Sequence, residues 1–334
     1  MPDSSAGNFV NIIFLFDANY LAPALVSVAS LFDIPEMIGF SVTLVYVSSN
    51  SEKDTEAANI LRIFQSNIQS KDQQINLHVI VLQGNQFSDY VQRYHFSNAI
   101  LYKAALPKIF SSYQHILFFD CGMIFGLQLP VFIERLRQSI QRSEISVVGA
   151  FCVSPFVSGA LNLALQQYSH NILYPSAAVL YFDVQRYNQL AIYERYLAAY
   201  AAHRQQLHYA EQDLLCLVLQ AGELSAFEDR EFKCHIDMAS PESWSDIDRY
   251  ERIYMDRNYL YLKHIGSFKP WKKWVLHPAK AIYLRELQRL EKRYEVAGYS
   301  ALQDSELFPE NTAYLAHQLI LLEAHMKNTT KLDG

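Results

Sequence analysis

The first half of the chain alternates two hydrophobic periods, and this restricts the folds open to it. Apolar runs of strand length occupy Val10–Phe16, Phe40–Val47, Ile75–Leu82, Ile116–Phe119 and Ile145–Phe151. Helix-period segments, Leu21–Phe32, Glu52–Ser66, Asn98–Phe110 and Val131–Gln141, lie between them. This order predicts an α/β fold, a mostly parallel Rossmann-type sheet flanked by helices. A further strand, Ala177–Phe182, leads through Asp183 into a helix from Gln185 through Tyr200, and Glu211–Gln220 predicts another short helix. From Glu228 to Tyr250 no periodicity is visible, and such a stretch reads as a loop of the kind that serves as a lid or packs irregularly. Past Trp271 the pattern turns helical over Pro278–Val296 and again over Asn311–Met326. The expected organisation is therefore one α/β domain over residues 1–275 and a helical C-terminal extension over 276–334.

In open α/β sheets ligands bind at the carboxyl ends of strands, so residues just past each strand carry the chemical interest. Two segments lie there, and two more carry residues able to do chemistry. Asp17-Ala18-Asn19-Tyr20 follows the first strand, where a carboxylate, an amide and an aromatic ring suit a nucleobase; an ordinary helix N-cap uses the same residues. Asp120-Cys121-Gly122 follows Ile116–Phe119, with a cap or turn as its plain alternative. Glu211-Gln212-Asp213 opens a helix, where acidic residues are favoured in any case, or places Gln212 and Asp213 against a sugar. His264-Ile265-Gly266-Ser267-Phe268-Lys269-Pro270-Trp271 surrounds a glycine turn with a His and a Lys, able to approach a ligand, bind a metal and neutralise phosphate. A Gly-Ser turn with surface charges is the ordinary account of that segment. No Walker loop, GxSxG, HExxH or GxGxxG competes with these.

Composition excludes several classes. A formal charge of −6 gives no nucleic-acid footprint. Four cysteines without CxxC spacing fit neither structural zinc nor a disulfide framework, so a reducing cytoplasm is expected. Met1-Pro2-Asp3-Ser4-Ser5 lacks the basic start and apolar core of a signal peptide, and no apolar run reaches spanning length.

Taken in order, these segments resemble glycosyltransferase family 8, which includes bacterial lipopolysaccharide galactosyl- and glucosyltransferases. Asp17-Ala18-Asn19-Tyr20 is similar to the opening nucleotide-binding segment, and Ser97–Pro107 to the helix before the metal motif, with Lys103 where an arginine is usual. Asp120-Cys121-Gly122 aligns with Asp-x-Asp. Ser176–Asp183 is similar to the Asn-Ser-Gly segment, Glu211-Gln212-Asp213 to the Asp-Gln-Asp element, and His264–Trp271 to the terminal His–Gly–Lys-Pro-Trp block. The resemblance covers about Asn11 to Pro278 and implies a GT-A-like fold with retaining transfer of a hexose from a UDP-sugar, assisted by Mn²⁺ or Mg²⁺. It further implies that Asp17, Asn19 and Tyr20 hold uridine and ribose, and that Asp120 and His264 bind the metal. By the same resemblance Gly266 and Lys269 contact phosphate, and Lys103 holds the diphosphate or sugar, without arginine's planar fork. Gln212 would sit near the anomeric carbon and Asp213 would orient the sugar.

The departures are specific. Gly122 cannot ligate a cation, Ser176-Ala177-Ala178 replaces Asn-Ser-Gly, and His264 and Lys269 are one residue closer together than is typical. The expected partners are a UDP-hexose donor and a glycan or glycolipid acceptor of the lipopolysaccharide-core type, with no nucleic acid. Trp271-Lys272-Lys273-Trp274 and the basic residues Arg285, Arg289, Lys292 and Arg293 suggest peripheral contact with the cytoplasmic face of the inner membrane. Glu286, Glu291 and Glu295 on the same helix oppose that reading. The alternative function is a catalytically degenerate family member that binds a nucleotide sugar or a partner protein without turnover.

Overall fold

The computed structural model describes residues 10–37, 39–49, 51–71, 75–90, 97–140, 145–151, 175–207, 209–220, 222–227, 233–238, 240–266, 268–272 and 274–295. The chain divides into two compact units. One comprises residues 1–24, 36–121 and 133–230, the other 25–35, 122–132 and 231–334.

The first unit is built on a seven-stranded sheet. Its strands are β1 Val10–Phe16, β2 Ser41–Ser48, β3 Asn76–Gln83, β4 His115–Phe119, β6 Val147–Phe151, β7 Pro175–Asp183 and β8 Leu224–Phe227. Their spatial order is β3-β2-β1-β4-β7-β6-β8. Neighbours run parallel except β7, which is antiparallel to both β4 and β6. Every residue of β1, β2 and β4 is buried, as expected for strands covered on both faces. β3, at the sheet edge, is mostly half-exposed. Ile13, Leu15, Val45, Ile116, Phe118 and Leu180 form one core with Tyr187, Tyr196 and Leu214 from the helices.

Because β2 lies on one side of β1 and β4 on the other, the order of the strands reverses at β1/β4. That reversal is the switch point at which open sheets bind ligands. The register pairs Phe14 with Phe119, so Asp17 and Asp120 emerge from the carboxyl ends of adjacent parallel strands. The mostly parallel α/β architecture expected from the sequence is present.

Two expectations differ in detail, and a third falls outside the described residues. The helix expected from Gln185 through Tyr200 is two helices, Val184–Gln189 and Ile192–His203, separated by Ala191 at φ +50°. No Gly or Pro marks the break. The stretch Glu228–Tyr250, expected to be a loop, contains β9 (Lys233–Asp237), the helix Pro241–Ser245 and the start of the helix Ile247–Asp256. That last helix buries Tyr250 and Tyr254, one turn apart, so its apolar face is carried by tyrosine. The helix expected over Asn311–Met326 lies outside the described residues.

The second unit holds a three-stranded sheet in which β10 (Tyr261–Ile265) lies between β5 (Met123–Phe125), antiparallel, and β9, parallel. β5 ends at Gly126, whose N–H donates to Leu260 O at 3.1 Å. A Cβ at this position would stand 2.2 Å from Tyr259 O and 2.6 Å from Arg257 O. Both are backbone atoms and neither can swing aside. Gly126→Ala is therefore expected to destabilise the protein by about 1–3 kcal/mol, measured by urea unfolding.

Candidate functional site

At the end of β1, Asp17 stays extended, and its Oδ1 accepts from Asn19 N–H at 3.0 Å, capping the turn Ala18–Tyr20. The ordinary cap is thus real. The carboxylate is also hydrogen-bonded to the Ser97 hydroxyl, while burial raises its pKa. Ser97 in turn caps the next segment, a 3-10 helix Asn98–Ala105, by accepting from Ala99 N–H at 3.0 Å. Asn19 is exposed and Tyr20 half-buried. Burial, then the nearby charges of Asp17, Asp120 and Cys121, push the Tyr20 phenol far above its usual range.

Lys103 lies on that 3-10 helix and is 3% exposed. Its Nζ donates to Asp120 Oδ1 at 2.8 Å, Glu211 Oε1 at 2.7 Å and Ala177 O at 3.0 Å. An ammonium has three N–H donors, and each has an oxygen here. Nζ also stands 4.9 Å from the centre of the Phe118 ring. Burial works against this charge, but Asp120 and Glu211 more than offset it, so the ammonium is held above the ordinary lysine range. Burial pushes Glu211 upward, although Lys103 pulls it down. Asp120 is fixed from behind by its own N–H, which donates to Ala178 O at 2.8 Å.

Glu211 was the first residue of a segment whose expected roles fell on Gln212 and Asp213. It is Glu211 that reaches the cluster. A buried lysine needs more than one anion, but nothing in the sequence singled out Glu211 as its second. Asp213 is fully buried, and its Oδ2 accepts from Tyr209 N–H at 2.8 Å across the strained Ala210, at φ +42°. Gln212 is half-buried.

The other expected residues belong to the second unit. His264, on β10, is 1% exposed, and its Nε2–H donates to Ala279 O at 3.1 Å. Its Nδ1, the ring atom left with a lone pair, is buried without a hydrogen-bond partner among the described residues. Burial lowers this imidazole to about 3, so it is neutral. Gly266 adopts φ +80°, which favours glycine, and an added Cβ would meet only Asp237 Oδ1, at 3.5 Å. Lys269 is buried and donates to His264 O at 3.1 Å, closing the loop on itself. The arginines of the helix Lys280–Tyr294 are paired within this unit: Arg285 with Glu251, Arg289 with Asp33 and Glu286, Arg293 with Asp33.

These donors do not fit the divalent cation that the family resemblance implies. Gly122 supplies no ligand, and it sits at φ +83°, with its N–H donating to Ser27 Oγ at 2.9 Å. Asp120 already faces an ammonium. Among the described residues no three His, Cys, Asp or Glu side chains gather where they could hold a metal.

Residues 11–134 match the model of Glycosyl transferase family 8. The fold is similar to that of the galactosyltransferase LgtC in complex with donor and acceptor sugar analogs, with a TM-score of 0.61 at 13% identity, over 91% of this chain and 99% of that one. It is also similar to the bifunctional glycosyltransferase WbbM in its apo form, with a TM-score of 0.59 at 12% identity, over 88% of this chain and 53% of that one. A third likeness is to the glycosyltransferase GlyE of Streptococcus pneumoniae TIGR4, with a TM-score of 0.55 at 12% identity, over 91% of this chain and 67% of that one. At such identities the likeness establishes a GT-A-like fold. No curated protein matches the sequence.

Two outcomes follow from the geometry. Lys103→Met strands two carboxylates and is expected to cost about 3–5 kcal/mol in urea unfolding. His264, lowered from 6.5 to about 3, binds a proton only once the chain unfolds. Stability should therefore fall as pH drops below 6.5, and keep falling toward about 3. His264→Asn should flatten that slope in unfolding curves taken between about pH 7 and 4.

Proposed function

We propose that this chain is a glycosyltransferase that moves a hexose from a UDP-sugar, with retention, to a lipopolysaccharide-core or related surface-glycan acceptor. One observation carries the reading: Asp17 and Asp120 emerge side by side at the sheet's switch point, inside the segment that matches family 8. Asp17, Asn19 and Tyr20 take the uridine and ribose. Gln212 lies near the anomeric carbon, Asp213 orients the sugar, and Gly266 and Lys269 contact phosphate. The likeness to LgtC, a galactosyltransferase held with donor and acceptor sugar analogs, makes UDP-galactose the first donor to test. Among the described residues no helix is long and apolar enough to cross a membrane. A glycolipid acceptor would accordingly be met at a surface, and cytoplasmic placement at the inner face is part of the proposal.

A second reading, binding without turnover, is favoured by Gly122. At φ +83° an introduced carboxylate would be strained, so the missing ligand cannot be restored by a single residue without cost.

Calorimetric titration with UDP, followed by assays of UDP release from UDP-galactose and UDP-glucose with lipooligosaccharide acceptor, separates the two. Asp17→Ala is expected to weaken UDP binding about tenfold. UDP release that depends on acceptor supports transfer, and the product's anomeric configuration by proton NMR reports retention. UDP binding without release from any donor supports the second reading. Absence of UDP binding would sink transfer and nucleotide-sugar binding alike, and leave partner-protein binding as the remaining form of the second reading.

A further inference from the structure

Three oxygens, Asp120 Oδ1, Glu211 Oε1 and Ala177 O, converge within 3.0 Å of one point, and the ammonium of Lys103 occupies that point. Two carboxylates and a carbonyl are the donor types that hard divalent cations take. Here the seat is filled covalently, by a side chain with 3% exposure and all three donors used. A second cation bound through Asp120 would stand beside this ammonium and be repelled by it. The position two residues on, where a further carboxylate would supply attraction, is Gly122 at φ +83°. His264, whose Nε2–H is turned to Ala279 O, offers only the neutral lone pair of Nδ1 and no negative charge to offset the ammonium.

We propose that Lys103 is the resident cation of this site: its ammonium fills the seat beside the strand-end Asp120, and nucleotide binding proceeds without Mn²⁺ or Mg²⁺. Lys103 is a positioning residue. It fixes Asp120 and Glu211 and offsets one of their two negative charges, where a dication would offset both. The inference rests on the nucleotide-sugar reading for the ligand, but the cation seat itself is testable without any nucleotide.

The test uses MnCl₂ alone as probe, titrated into the full chain, with bound metal read from loss of the free Mn²⁺ EPR signal. The unmodified protein is expected to show no saturable site up to about 1 mM, whereas Lys103→Met, its seat vacated, gains one tighter than about 100 µM. Lys103→Arg keeps the charge and should remain blind to Mn²⁺. A merely structural lysine would not create a metal site on removal. A Mn²⁺ site tighter than about 100 µM in the unmodified protein overturns the inference. So does a folded Lys103→Met, judged by its circular dichroism, that takes up no Mn²⁺. If Lys103→Met does not fold, the unmodified protein decides alone.

The nucleotide arm compares UDP affinity in Mn²⁺ and in EDTA. Agreement within about twofold supports the inference, and a gain above about tenfold with Mn²⁺ overturns it while leaving the nucleotide-sugar reading intact. If UDP binds in neither condition, that reading fails and the claim of metal-free nucleotide binding falls with it, while the MnCl₂ titration still decides whether Lys103 fills a cation seat.

Discussion

A buried ammonium with three oxygen partners governs the first unit. Lys103 ties the end of β4 to the start of β7 and to the first turn of Glu211–Val218, contacts separated by 17, 74 and 108 residues in sequence. Removing a charge from water is unfavourable by several kcal/mol, and only complete pairing offsets it. Lysine fits this geometry better than arginine would. Its three donors diverge from one atom toward three separate oxygens, whereas a guanidinium spreads five donors in a plane. Phe118 supplies the face beneath the ammonium, so even the apolar side of the seat favours a cation.

The sheet was legible because burial on both faces writes itself as uninterrupted apolar runs. β1, β2 and β4 fall within a residue or so of the runs read from sequence. What was hidden is explained by chemistry that hydropathy does not record. Tyr250 and Tyr254 form a helix face from a residue whose hydroxyl makes it look polar, so Ile247–Asp256 vanished into an apparent loop. Ala191 breaks a helix through a left-handed backbone that no side chain announces. At the candidate site, strand ends located Asp17 and Asp120, since topology alone sets them. The pairing of Lys103 with Glu211 joins residues 108 apart, and no local spacing encodes it. The arginines after Pro278 suggested a free basic face, but Asp33 and Glu251, distant in sequence, satisfy them.

The second unit shows how misleading reactive residue types are without geometry. Ser243 Oγ lies 2.7 Å from His277 Nε2, a spacing that invites a nucleophile–base reading. Yet His277 Nδ1 accepts from Ala279 N–H at 3.1 Å, which leaves the proton on Nε2. Nε2–H donates to Ser243, whose own proton goes to the Asp237 or Ser240 carbonyl at 2.6 and 2.7 Å. The imidazole is oriented as a donor and cannot remove the hydroxyl proton. The pair pins the chain between β9 and the helix Lys280–Tyr294, next to the carbonyl that engages His264.

What Asp120-Cys121-Gly122 can bind turns on what its neighbours do. Simple loss of a ligand would leave the remaining buried groups with unmet charge or hydrogen bonds, and such groups are costly. At this site the one ammonium is fully partnered. Asp120 and Glu211 share Lys103, the Asp120 N–H is bound by β7, and the Gly122 N–H is bound by Ser27. Gly122 also adopts a backbone conformation that favours glycine. Lys103, Gly122 and Glu211 are individually unremarkable residues. Together they set one ammonium between two carboxylates beside a turn that favours glycine, the arrangement on which the proposed role of Lys103 rests.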